Sequence, residues 1–505
     1  MTAKPGIHVA IALLSCLAAA CGDEPQPGKF PMGVPDGGSA GVGSQPAAGS
    51  GGGSVAGSSG GSDGWTGMAV AGTGVPDAGP PGVDAAPYQQ PDIGVAASPP
   101  ATDCSVILVS PVSPIVVDAA MWCEGTLAHA HVGALAGDAA YVSATAFASN
   151  GGFSSSTRLF RIGGATGPVT VQAPQGLRNA TLLVDTAGSA HLAGTEVDGW
   201  SAVYYRPMDS GWVRETMPWL FVEEGIGIVD AAFLPDGRAV LVSAYQIGLY
   251  QRGSRLVIRG ANGSYTDAPI PESSSIARVV VDASGRLQLV YVTSSGVPEV
   301  RQLPLGETVA TKLAVSDPPS SFAVAPLADG RVVPALATNV VDILVPQDEG
   351  DAVRIGVPDS KKLVTSGCAG EGPCTVTGKG SLGAVAMTTT SDGDLWIAYI
   401  EATVDRDETW KCFLFEGFRT CSPTRGQDRS TTDLVLVRVS TKMDGFPMSV
   451  RWRARIGNDL AAPVVAMSAR GTRLALAFTH KASPPPIDTG KTRDLRYVLL
   501  DTTKL

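Results

Sequence analysis

The sequence predicts an all-β protein: a β-propeller of about seven blades, with six or eight as the neighbouring counts, carried behind a disordered tether. Three observations predict it. A strand–turn–strand pattern is written seven times downstream of about residue 130. Its apolar runs are short, often β-branched and apolar at consecutive positions, so both faces of each strand must be covered. No stretch in this part sustains a helical period with caps.

The chain opens on an export signal. Lys4 and the amino terminus supply positive charge, and Ile7 to Ala20 supply an apolar run of about 14 residues. That is too short for a bilayer crossing of ~20 residues. The run ends in Leu17, three alanines, Cys21 and Gly22. Small residues before a cysteine resemble the lipobox of bacterial lipoproteins, although Ala18 stands where that pattern has Leu. The resemblance implies that residues 1–20 are removed and that Cys21 carries the lipid. Cys16 is a competing cleavage position, and an ordinary secretory signal is the other reading. In enterobacteria an Asp directly after the cysteine retains a lipoprotein at the inner membrane. Gly22 holds that place here, so by analogy the expected address is the outer membrane or cell surface.

Residues 21–103 are Gly-, Ser-, Ala- and Pro-rich with almost no aromatics. Such a segment cannot bury enough apolar surface to offset the entropy of ordering it. Its average span is roughly 50 Å at ~5–6 Å × √n, enough to hold a domain off a membrane. Gly-x-Ser-x-Gly matches at Ser39, Ser59 and Ser62 are products of composition, because a nucleophile elbow needs a strand before it and a helix after.

Residues 104–505 are expected to form the propeller. Its turns fall at Gly137-Asp138, Asp185 to Gly188, Pro235 to Gly237, Asp282 to Gly285, Ala328 to Gly330, Ser391 to Gly393 and Ala469 to Gly471. The spacing is about 45–51 residues for the first five, then about 63 and about 78, the period of a propeller or array. Strands rich in Ala, Ser and Gly suit the crowded axis of a ring, and radial closure removes long exposed edges. Val184 to Thr195 resembles the bacterial seven-bladed propeller repeat, in which Asp-x-x-Gly precedes a short strand ending in Gly-Thr. Residues 434–453 are similar to blades of quinoprotein-like propellers, and Ser391 to Trp396 is loosely like the Asp-box of sialidases. These likenesses imply the fold, and fold does not carry function.

Six cysteines remain beyond Cys16 and Cys21: Cys104, Cys123, Cys368, Cys374, Cys412 and Cys421. An exported chain uses such cysteines as disulfides. Proximity favours 104–123, 368–374 and 412–421 among 15 pairings. The first would pin the start of the domain and help close the ring. No pair has zinc-type C-x₂-C spacing with a histidine near.

The two long intervals carry insertions, each holding a cysteine pair. The second contains Trp410, Phe413, Phe415, Phe418 and Arg419 in a stapled loop, unusual where aromatics make up only 6% of the chain. Aromatics flanked by Arg are the usual anchors of binding surfaces. These five residues are the expected partner-binding set, against the competing reading that the loop folds its aromatics onto the blade. His129 and His131 share a strand face, but two imidazoles make at most half a metal site. Gly378, Gly380 and Gly383 match G-x-G-x-x-G, yet a strand follows instead of a helix. Lys491 and Thr492 sit in a P-loop-like string that lacks its first glycine. Asp230, Asp282 and Glu299 are the carboxylates to test for hydrolase chemistry. No catalytic set can be assembled from spacing.

With 17% charged residues, a net charge of −10 and no basic cluster, nucleic acid is excluded as a partner. The expected function is therefore a monomeric, lipid-anchored envelope protein without cofactor or metal. Its propeller would act as a noncatalytic binding or scaffold module for a protein or glycan. The alternative is a propeller enzyme of glycoside-active or quinoprotein-like type.

Overall fold

A computed structural model describes residues 88–89 and, with short breaks at several loops and a longer one at 481–493, residues 105–505. The signal, Cys21 and nearly all of the tether lie outside the described residues, as do Cys104, Cys123 and the string around Lys491. Among the described residues no helix is long and apolar enough to cross a membrane.

Among the described residues the strands form seven sheets, one for each predicted turn, antiparallel except where Tyr88–Gln89 runs parallel to Met448–Gly457 at the edge of one of them. Blade 1 begins with Thr126–Ala134, blade 2 with Leu177–Val184, blade 3 with Ile228–Phe233 and blade 4 with Ser274–Val281. Blade 5 begins with Ser321–Pro326, blade 6 with Gly372–Thr389 and blade 7 with Val465–Arg470. Each of these first strands lies beside the first strand of the blade before and of the blade after, and blade 7 meets blade 1. The seven sheets therefore close into a ring, the β-propeller. The seven predicted turns each join the first and second strands of one blade. Their glycines, from Gly137 to Gly471, all have positive φ between 61° and 88°, a region open to glycine at little cost.

The ring closes with both ends of the domain in one sheet. In blade 7, Val465–Arg470, Arg473–His480 and Asp494–Asp501 are followed in space by Ile115–Trp122 and Ser105–Val109. Asp118 and Arg496 hold this seam. The guanidinium donates to both carboxylate oxygens at 2.5 and 2.6 Å, and both residues are buried.

The consecutive apolar positions are explained by seven cores, one between each pair of neighbouring blades. In blade 3, Ala239 and Leu241 pack toward blade 2 while Val240 and Val242 pack toward blade 4. In blade 6, Ile397 and Tyr399 face blade 5, whereas Trp396, Ala398 and Ile400 face blade 7. A strand's period of two thus sends alternate residues into two different cores. Side chains also lace the first strands together: Thr181 Oγ1 donates to the Ile228 carbonyl, and the Val279 amide donates to Asp230 at 2.8 Å.

Candidate functional site

The three carboxylates do not assemble into a hydrolytic pair; they sit on three different elements with partners of their own. Asp230, on the first strand of blade 3, keeps some accessible surface but is densely surrounded by protein. That desolvation raises its pKa against the pull of Arg278. Its oxygen caps the Val279 amide across the blade boundary. Asp282 lies inside its turn. It accepts from the amides of Ser284 and Arg286 and from Gln288 Nε2, and these bonds hold its pKa below the ordinary value against desolvation. Glu299, on Glu299–Pro304, is neutralised by Lys312 and Arg301.

A polar cluster at the boundary of blades 2 and 3 escaped sequence reasoning. His191 Nε2 lies 3.1 Å from Asp185 and its Nδ1 lies 2.8 Å from the Tyr204 hydroxyl. With Asp185 accepting at Nε2, Tyr204 donates to Nδ1. Arg259 stacks 5.1 Å from the centroid of the Tyr204 ring and pairs with Glu215, which also takes Tyr265 and Arg206. Desolvation lowers the His191 pKa, so the imidazole is neutral, and raises that of Tyr204 well above its usual range. The order carboxylate–imidazole–hydroxyl resembles a nucleophile relay. However, Tyr204 is 0% exposed, so no substrate reaches its oxygen and the cluster works as a hydrogen-bonded rivet between blades. Asp185 in a repeated turn was the one visible signal. Among the described residues no group of three His, Cys, Asp or Glu side chains is placed to hold a metal. His131 is half-buried on its strand, and the His129 side chain lies outside the described ones.

The most distinctive element is an arm on blade 6. Its first two strands, Gly372–Thr389 and Leu395–Phe415, run 18 and 21 residues, far beyond the strand lengths of the other blades. Within the blade they pair normally. At a register shift between Ser381 and Val385 they leave it and continue together, Gly372 ending opposite Trp410. A third strand, Phe418–Asp428, folds back along the outer half of the second. At ~3.3 Å per residue, the 14 residues from Ala402 to Phe415 extend roughly 45 Å.

The two insertions that look separate in sequence are therefore one structure. What reads as a stapled loop at 405–421 is strand, hairpin and strand, a correction to the expected loop. Its run from Val404 to Glu408 shows no apolar alternation, and that hides the strand. Both cysteine pairings in the arm match the proximity expectation: Cys368–Cys374 and Cys412–Cys421. The second joins directly opposite residues whose Cα atoms are 4.0 Å apart.

The glycine string that mimics a nucleotide loop also finds its cause here. Residues 361–366 run across the base of the arm, with Val364 paired to Lys379 and Thr365 to Gly378. A Cβ on Gly380 would lie 2.3 Å from the Leu363 backbone, and one on Gly378 2.5 Å from the Val364 carbonyl. These glycines make room for a crossing chain.

Electrostatics stiffens the arm from within. Arg429 donates to both Asp405 and Asp407 at 2.8–3.0 Å, holding both carboxyls below their ordinary pKa. On the other face, buried Glu408 takes Arg406 Nε at 2.7 Å and Trp410 Nε1 at 2.9 Å. Trp410 is thus half-buried and its donor is used inside the arm. Phe413 is 52% exposed, and Arg419 is exposed 3.9 Å from Glu371. Phe415 and Phe418 pair across the hairpin, but their side chains lie outside the described ones. Leu414, 79% exposed, was missed; strand alternation would have placed it on the face opposite Phe413.

The arm's outer edge is guarded. Close Cα spacing marks Cys412–Cys421 as a non-hydrogen-bonded pair. By alternation Trp410–Pro423 is another, so Pro423 turns toward the open edge a nitrogen that cannot donate.

No protein-family profile matches the chain, and no curated protein matches it. Solved structures do. A putative oxidoreductase (glucose dehydrogenase) from Thermus thermophilus is 14% identical, covering 63% of this chain and 95% of its own, with a TM-score of 0.33. Puromycin hydrolase is 17% identical, covering 72% and 60%, with a TM-score of 0.37. TolB from Acinetobacter baumannii is 13% identical, covering 59% and 62%, with a TM-score of 0.29. At these scores the fold rests on the ring of seven sheets itself.

Proposed function

We propose that the protein is a noncatalytic binding or scaffold module of the cell envelope, exported and lipid-anchored through Cys21. The ring would be a rigid mount, and the blade 6 arm would be the element that meets an envelope protein or glycan. The observation that carries this reading is the arm's construction. Two insertions into one blade pair with each other, are stapled by two disulfides, and present Phe413 and Leu414 to solvent at the far end. By contrast, the carboxylates considered for chemistry are each engaged in turns, strand junctions or ion pairs.

The test is binding of the full chain, carrying Cys21→Ser to remove the acyl anchor, to isolated envelope fragments. Phe413→Ser with Leu414→Ser should weaken binding about tenfold or more, as expected for the loss of exposed anchors. Binding unchanged by this pair would remove the arm from the account.

A further inference from the structure

The tip of the arm has a composition that a flat protein surface does not require. Directly opposite residues of an antiparallel pair share a face, so Leu414 and Arg419 lie on one side and Phe413 and Thr420 on the other. The hairpin end therefore exposes a large apolar side chain on each of its two faces, at 52% and 79%. Docking against one protein surface needs an apolar face on one side only. A wedge that is apolar on both sides suits a medium that surrounds it.

Just behind Phe413, Lys411 lies on the same face and is exposed, and the exposed Arg419 stands opposite Leu414. They form a cationic collar in a chain whose net charge is −10. Among the described residues, the acid beside Arg419 is Glu371, whose carboxylate accepts the Cys412 amide at 2.8 Å and stands 3.9 Å from Arg419. Apolar side chains ahead of cations is the order that enters a bilayer interface, with the chain ends of Lys and Arg left among the headgroups. Stapling by Cys412–Cys421 fixes the wedge before contact, so little ordering entropy is lost on insertion.

We propose that the arm tip inserts Phe413 and Leu414 into the interface of a lipid bilayer, with Lys411 and Arg419 on anionic headgroups. The proposal rests on the arm being the contact element and assigns its tip a lipid surface, leaving the flanks to a protein or glycan. A membrane-anchored chain would then touch lipid at two points, its N-terminus and this arm.

The experiment places a photo-reactive amino acid at Leu414 of the full chain, reconstituted in vesicles of phosphatidylcholine containing about a quarter phosphatidylglycerol. The same residue at Val309, 78% exposed on blade 4, is the control. Lipid adducts at 414 should exceed those at 309 about tenfold or more and should fall to the control level with Phe413→Ser. They should persist with Phe413→Trp, which keeps the tip apolar. Lys411→Glu with Arg419→Glu should abolish the preference for phosphatidylglycerol. Equal lipid labelling at 414 and 309 overturns the proposal. If protein or glycan adducts then form at 414 in cells, the arm remains the contact element and only the lipid assignment falls. Lipid labelling at 414 together with loss-free envelope binding by the serine pair has the opposite meaning: the tip touches lipid and the partner lies elsewhere.

Discussion

Removing the Asp118 carboxylate should open the ring at its seam. Asp118 belongs to Ile115–Trp122 and Arg496 to Asp494–Asp501, strands from opposite ends of the domain that pair only because the ring closes. Their side chains are 1% and 9% exposed, and both guanidinium–carboxylate bonds are short. Asp118→Ala leaves a buried guanidinium unpaired, which costs about 3–5 kcal/mol. Replacing both partners with Leu removes the charge along with its partner and should sit within about 1–2 kcal/mol of the wild type. Asp236→Ala is the matched control. It removes an ion pair with Arg238 in which both side chains are more than 40% exposed, and should cost under about 1 kcal/mol. Equilibrium urea unfolding at neutral pH, with disulfides intact, reads all three variants. If Asp118→Ala costs no more than Asp236→Ala, the pair does not hold the seam and ring closure must depend on other contacts.

Three further expectations follow from single sites. Gly380→Ala drives a Cβ against the Leu363 backbone; it should cost about 1–3 kcal/mol and speed proteolysis near residues 361–381, while proteolysis elsewhere stays unchanged. His191 has a folded-state pKa below its ordinary value of 6.5, so the unfolded chain binds the extra proton more readily. The stability tied to its neutral form is complete above about pH 6.5 and declines as pH falls through that value toward the folded pKa. His191→Gln should flatten the decline between pH 7 and 5, and an unchanged slope would show that the rivet does not titrate. Pro423→Val restores a donor on the arm's free edge and should produce concentration-dependent dimers by light scattering, where the wild type gives none.

Much of the ring was legible because its signals are local. Each predicted turn, from Gly137-Asp138 to Ala469–Gly471, joins two strands next to each other in sequence, so Asp, Gly and the flanking apolar runs suffice to mark it. The doubly apolar strands, such as Ala239 to Val242, carried the second signal, since only packing between two neighbours covers both faces. What stayed hidden depends on distant pairing. Nothing in Ile115–Trp122 announces Asp494–Asp501 as its partner, and nothing in Thr375 to Ser381 announces residues 401–407. The arm strands also carry Thr, Asp, Arg and Gly in place of apolar alternation, because much of their surface faces water. For the expected contact residues, sequence marked Phe413 and Arg419 but not Leu414. It could not show that Trp410 spends its N–H on Glu408 two residues away.

The claim that the arm, and not the ring, meets the partner is tested most directly by photo-crosslinking in intact cells. A photo-reactive residue would be placed in turn at Lys411, Phe413 and Leu414 on the arm, and at Asp236 and Asp329 in the exposed turns of the ring. Adducts are expected from the arm positions and background from the turns. Adducts concentrated at Asp236 or Asp329, with none from the arm, would contradict the claim.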